Sequence, residues 1–434
     1  MALESKSKNC VVTEMVSKVA LPKMVPVRQS FDKSYIPREE VAGIVRQEIL
    51  NSPMRQRIKE KMRVAITCGS RGVINVDVVT KSIVDTVREL GADPFIFPAM
   101  GSHGGATAQG QLDLLAIQFG ITEESMGCPI LSSMEVVEVG KTPDGLAVCA
   151  DKYAMEADAI ILCNRIKAHT AFEGPYESGI LKMAVVGVGK QHVAETIHEA
   201  GFPETAKLLP QFGKVMLENT KIIGGIATIE NSYHQTCNVE VLDKDEIMDK
   251  EPDLLLEAKR RMGRILFGDL DVIVVDRIGK NISGDGMDPH VTGRYVDTKA
   301  IPREPLSQRL AILDITDESN GNAYGVGLAD VTTKRLADKH NIDLAFPNAI
   351  TATVLNTCKM PMFARSDKAA IQLALHSCNA IDKMNPRIVR ISDTLNLEKI
   401  LVSTVLLKEV EKHPQLEAIG PEEDWPFDSR GNLW

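Results

Sequence analysis

Four stretches of the chain repeat one order of polarity: an apolar, β-branched run, a glycine or polar loop, then an amphipathic segment. MRVAITCGSRG (62–72) precedes INVDVVTKSIVDTVRELG, in which Ile83, Val84, Val87 and Leu90 recur at helical spacing and Gly91 supplies a stop. PFIFPAMGSHGG (94–105) precedes AQGQLDLLAIQFG, and ADAIILCNRIKAH (157–169) and LDVIVVDRIGKN (270–281) end in similar loops. Strands alternating with helices predict an α/β fold with mostly parallel sheets covered on both faces. In such sheets ligands bind beyond the carboxyl ends of the strands, where these loops fall.

The charged helical segment EIMDKEPDLLLEAKRRMGRILFG (246–268) is followed by a new strand, which sets a boundary near 268. Two domains are expected: residues 1–268 for cofactor binding and catalysis, and 269–434 closing over a ligand site in the cleft between them. The tail GPEEDWPFDSRGNLW reads as a surface arm that packs back on the first domain. No repeat of solenoid period occurs.

With 434 residues, 44% of them hydrophobic and 25% charged, the chain can bury the cores of two such domains. The formal net charge of −9 argues against nucleic acid or anionic membrane as a partner, so an anionic ligand needs a local basic pocket. Eight cysteines are scattered without a C-x-x-C pair, which points away from zinc ribbons and iron–sulfur runs and suits a reducing compartment. The opening MALESKSKNCVVTEM has no apolar core of signal-peptide length and no later run of about 18 residues is apolar, so the expected location is the cytoplasm.

Candidate chemistry gathers in two places. In GSHGG, His103 stands among glycines at a strand end, where backbone can approach a ligand and an imidazole can exchange protons near neutral pH. The plainer reading is a turn with a solvated histidine. The segment 164–201 packs His169, Lys182, Lys190, His192 and His198 between glycines. Against a functional reading, His192 and His198 could be exposed helix positions and Lys182 a surface lysine. GVGKQH lacks the leading glycine and the hydroxyl of a P-loop, and neither H-E-x-x-H nor G-x-S-x-G occurs. Asp285, Asp288 and His290 form an acidic turn that caps a strand more readily than it binds a hard metal.

In order and approximate spacing, GSRG (69–72), MGSHGG (100–105) and the series His169, Lys182, His198 resemble the nickel-pincer-dependent lactate racemases and related 2-hydroxyacid racemases and epimerases. The resemblance is strongest over residues 62–201. It implies a nickel-pincer nucleotide, a pyridinium mononucleotide with two sulfur-bearing arms that hold nickel, supplied by separate cofactor-synthesis proteins. It assigns His103 and His169 to proton transfer, Lys182 to the covalent tether, His198 to nickel, Gly101, Gly104 and Gly105 to the cofactor loop, and Arg71 to the substrate. His192 competes with His198 as ligand. PYE between His169 and Lys182, and GILK in place of a more basic glycine-rich run, depart from the family pattern.

The implied chemistry explains the residue types. The α-hydrogen of a 2-hydroxy acid leaves as hydride to the cofactor when the hydroxyl is deprotonated at the same time, giving a planar 2-keto acid that can be reduced from either face. Opposite enantiomers present their hydroxyls on opposite sides, so two bases are needed. An arginine pairs with the carboxylate. The second domain would add a lid, RIGKNISGDGMDPHVTGR (277–294), with Lys280, and less strongly Arg294, facing a carboxylate or polyol. Two alternatives stand beside this reading: another metal- or nucleotide-dependent α/β enzyme, for example a dehydratase or hydrolase using His103 and His169 around zinc, and a non-catalytic carrier or sensor of nickel or the mononucleotide. Metal and nucleotide content, with exchange of the α-hydrogen, separates the three.

Overall fold

The computed structural model describes residues 11–434 apart from Arg71 and Glu304. Two compact units share the chain: Asp32–Met262, and the described residues up to Phe31 together with Gly263–Trp434.

The unit Asp32–Met262 is built on a five-stranded sheet: β1 (Arg63–Cys68), β2 (Asp93–Pro98), β3 (Ala159–Arg165), β4 (Ile222–Glu230) and β5 (Thr236–Asp243), in the spatial order β2-β1-β3-β4-β5. The first four are parallel and β5 closes the edge antiparallel to β4. Every residue of β1 and β2 after the first is buried, because helices cover both faces and a continuous apolar run meets no water. On one face, Val41, Val45 and Ile49 of helix Arg38–Asn51 and Val79, Ile83, Val84 and Val87 of helix Val76–Glu89 pack on Ile66, Ile96, Ile161 and Ile226. Successive strand residues point to opposite faces. Accordingly Gly225, next to Ile226, faces away from this core, and a Cβ there would lie 2.7 Å from Ile180. Gly91 ends helix Val76–Glu89 with φ 82°, as its place in the sequence predicts.

The second unit carries an eight-stranded sheet. Strands Met362–Ala364, Val331–Thr333, Ser307–Ile315, Leu270–Ile278 and Ile388–Ile391 run parallel in that spatial order, followed by antiparallel Lys399–Ser403, Met24–Gln29 and Leu416–Ala418. Both sheets thus have the mostly parallel α/β organisation expected. The single boundary at 268 is corrected: the chain passes between units at Met262 and Gly263, and the segment before Asp32 joins the later unit. The cause is strand pairing, Val27 lying opposite Ile400 on one side and Ala418 on the other. The tail packs within its own unit, where Trp425 Nε1 donates to Pro22 O at 2.9 Å and the Trp434 ring lies under Arg335, 4.7 Å from ring centre to guanidinium.

Candidate active site

Strand order reverses at β1, whose neighbours β2 and β3 precede loops carrying one histidine each. His103 follows β2 and His169 follows β3, so the two stand on either side of the loop that follows β1. Strand spacing puts their strands about 10 Å apart in the sheet. Arg71 lies outside the described residues, but its neighbour Ser70 is hydrogen-bonded through Oγ with His103 Nδ1. This contact couples the tautomer of the half-buried His103 ring to a hydroxyl that can donate or accept.

The glycines of the His103 loop serve different needs. Gly101, Gly104 and Gly105 all have left-handed φ, at 58°, 66° and 65°. A Cβ on Gly104 would lie 2.7 Å from the backbone of Gly110 and Gln111, and one on Gly101 would lie 3.3 Å from Val186 Cγ1. Backbone packing against the protein thus accounts for these two, while a Cβ on Gly105 meets nothing within 4 Å. Beneath the loop, Gln111 Nε2 donates to Gly101 O at 3.0 Å and to His103 O at 3.2 Å.

His169 is held differently. Its backbone N–H donates to Glu177 Oε2 at 2.6 Å, and its Nδ1 accepts from the Ala171 N–H at 3.1 Å. A lone pair at Nδ1 places the proton of the neutral ring on Nε2. Glu177 is buried and also takes Lys259 Nζ at 2.6 Å. Phe172 lies 4.3 Å from the His169 ring between centroids, and Lys182 Nζ lies 5.7 Å from the same Phe172 centroid. Phe202 is 6.3 Å from the rings of both His169 and His198. Two aromatic side chains therefore gather His169, Lys182 and His198. His198 is half-buried in the last turn of helix Lys190–Ala200, whereas His192 is exposed on it.

Lys182 ends the short turn Ile180–Lys182, which continues into a π-helical stretch, Met183–Gly187, a distortion frequent at functional sites. The turn is capped from another element: Glu251 Oε2 accepts the Leu181 N–H at 2.8 Å, and burial raises this carboxyl from 4.5 to about 7. Helix Ile247–Arg261 thus supports both segments, through Glu251, which caps the Lys182 turn at Leu181, and Lys259, which pairs with the Glu177 carboxylate that holds the His169 backbone. Arg165 in the NRIKAH motif is paired with Glu230.

In the second unit, Lys280 follows strand Leu270–Ile278. Its Nζ donates to Gly284 O at 2.6 Å and lies 4.1 Å from the Tyr324 ring centroid. Arg294 donates to Ser307 O and Gln308 O and pairs with Asp330 at 2.9 Å, a structural role that ties a loop to a strand. Asp288 accepts the His290 N–H at 2.9 Å as a helix cap. Among the described residues no group of three or more His, Cys, Asp or Glu side chains is disposed to hold a metal, and no helix is long and apolar enough to cross a membrane.

Sequence reasoning missed Ser70, Gln111, Glu177, Glu251, Phe172 and Phe202. For Glu177 a signal existed in the PYE departure itself. Gln111 and Glu251 look like ordinary helix residues in sequence.

Fold and site together define a doubly wound α/β protein with imidazoles on two sides of its topological switch point. Residues 14–207 match the family model of the lactate racemase N-terminal domain, and the chain carries that domain. The stretch contains His103, His169, Lys182 and His198. A search of curated proteins returns no match. Among solved structures, the lactate racemase apoprotein from Thermoanaerobacterium thermosaccharolyticum is similar, with a TM-score of 0.53 and 12% identity over 87% of this chain and 99% of that one. At that identity the likeness speaks to the fold. The resemblance to the lactate racemases read from the sequence is borne out.

Proposed function

We propose that this racemase-family protein interconverts the stereoisomers of a small 2-hydroxy acid, with His103 and His169 exchanging protons with the substrate hydroxyl from its two sides. The observation that carries this reading is the placement of the two histidines on the loops of β2 and β3, flanking β1. A one-base site needs no such flanking. In one direction His103 takes the hydroxyl proton and His169 returns one on the opposite side, and in the reverse direction the roles exchange. Arg71 is assigned to the substrate carboxylate, and Lys280 to a substrate carboxylate or polyol.

The residues fit the nickel-pincer nucleotide by the chemistry of their donors. Lys182 offers an amine for a tether and His198 an imidazole nitrogen suited to nickel, while Gly101, Gly104 and Gly105 are assigned to the cofactor loop. When bound, this cofactor supplies an acceptor for the substrate's α-hydrogen as hydride. Its synthesis falls to partner proteins, so the chain made without them is expected to be inactive.

The test is nickel content and racemisation in both directions for His103→Ala, His169→Ala and His198→Ala, across a panel of single-enantiomer 2-hydroxy acids. The first two variants should lose activity in both directions with metal retained, and the third should lose metal. Zinc without a nucleotide in the active protein would overturn the reading.

A further inference from the structure

Lys190 is fully buried, and its burial serves no proton transfer or ligand in the reading above. Its Nζ donates to Pro98 O at the end of β2 (2.7 Å) and to Gln111 Oε1 (2.8 Å), and lies 3.4 Å from Asp151 Oδ2. All three side chains are 0% exposed, so water does not compete for these contacts. Lys190 also takes a left-handed φ of 55°, uncommon for a residue with a Cβ. A buried ion pair is often no more stable than packed apolar residues of similar volume. Its physical use here is orientation.

We propose that Lys190 and Gln111 are positioning residues that hold the His103 loop in register with the segment carrying Lys182 and His198. An ammonium only donates, so it takes the Gln111 amide oxygen and turns Nε2 toward the carbonyls of Gly101 and His103. With the amide flipped, an oxygen would face two carbonyl oxygens. Lys190 lies four residues after Val186, which packs on Gly101, and it opens the helix that ends near His198. One lysine therefore ties the backbone of the His103 loop to the element bearing the other assigned groups. Asp151 supplies the countercharge and accepts the Ala154 N–H at 3.1 Å, which anchors it in turn.

The consequence for turnover rests on the reading of His103 as a proton-transfer group, but the positional claim does not. It is tested on full-length apoprotein labelled at its histidines, by NMR of the imidazole resonances, with Gln111→Leu and with Gln111→Glu, which keeps the shape of the side chain but removes the donors facing the two carbonyls. The His103 resonance should move in both variants and in Lys190→Met/Asp151→Asn, while the His169 resonance stays in place. In the loaded enzyme kcat should fall about 100-fold with KM nearly unchanged, the expected effect of a misplaced reacting group. A His103 resonance that coincides with wild type in folded Gln111→Glu overturns the proposal. A chain that racemises no 2-hydroxy acid, yet shows the His103 displacement, overturns the functional reading and leaves the network standing.

Discussion

The loops bearing His103 and His169 occupy equivalent places, each after a parallel strand next to β1, yet they are held by opposite chemistry. The His103 loop turns backbone carbonyls inward, and an amide and a lysine supply donors to Gly101 O and, at its root, Pro98 O. The His169 loop turns N–H groups inward, and the Glu177 carboxylate accepts from His169 and, at 3.2 Å, from Gly174. Buried backbone groups must be paired, so the direction in which a loop presents them decides which side chain can brace it. The brace on one side carries a positive charge and that on the other a negative one, each neutralised by a partner, Asp151 or Lys259.

The largest effect is expected from removing the carboxylate brace. Glu177→Ala deletes the acceptor of two backbone N–H groups and leaves Lys259 without this partner, a loss of about 3 kcal/mol for leaving the two backbone donors unsatisfied. Urea unfolding measures it, and the His169 imidazole resonance should move while that of His103 does not. Displacement of both rings would break the comparison by showing one shared support.

A pH-dependent effect follows from Glu251, which caps the Lys182 turn. The folded state holds its proton more tightly than the unfolded chain, because burial raises the carboxyl from 4.5 to about 7. Its contribution to stability is therefore fully present below pH 4.5 and is lost as pH rises through about 7. Glu251→Gln lacks this loss and should gain about 3 kcal/mol on wild type between those limits. Thermal unfolding across that range decides, and parallel curves for the two proteins would refute it.

A smaller contrast separates two glycines of one loop. Gly104 and Gly105 have nearly the same φ, but only at Gly104 would a Cβ press on the backbone of Gly110. Gly105→Ala should cost about 1 kcal/mol for the left-handed conformation alone. Gly104→Ala should cost about 2 kcal/mol more for overpacking. Equal losses in denaturant melts would mean that the loop withdraws from helix Ala108–Phe119.

The smallest effect carries no stability change. Nitrogen NMR of the neutral His169 ring should find its proton on Nε2, because the Ala171 N–H only donates. His103, facing the Ser70 hydroxyl, should have its tautomer balance shifted by Ser70→Ala. A His169 ring protonated at Nδ1 would contradict the first point.

Local pattern determined much of this protein. The apolar runs of β1, β2 and β3, the helical spacing of Ile83, Val84 and Val87, and the placement of His103 and His169 just past strand ends were all readable, because each depends on residues within one turn or pleat. Lys182 and His198 were readable as candidates through their order in a known family pattern. Tertiary structure decided the rest. The brace of His103 joins residues 79 apart at Lys190 and Gln111, and that of His169 joins residues 82 apart at Lys259 and Glu177. Met24–Gln29 entered the sheet of the later unit because its partners are about 375 residues further along, a pairing that periodicity does not encode. Whether a lysine is solvated or buried, and whether a glycine faces a ligand or a neighbouring helix, depends on which distant segment packs against it, and side-chain spacing along the chain carries no record of that.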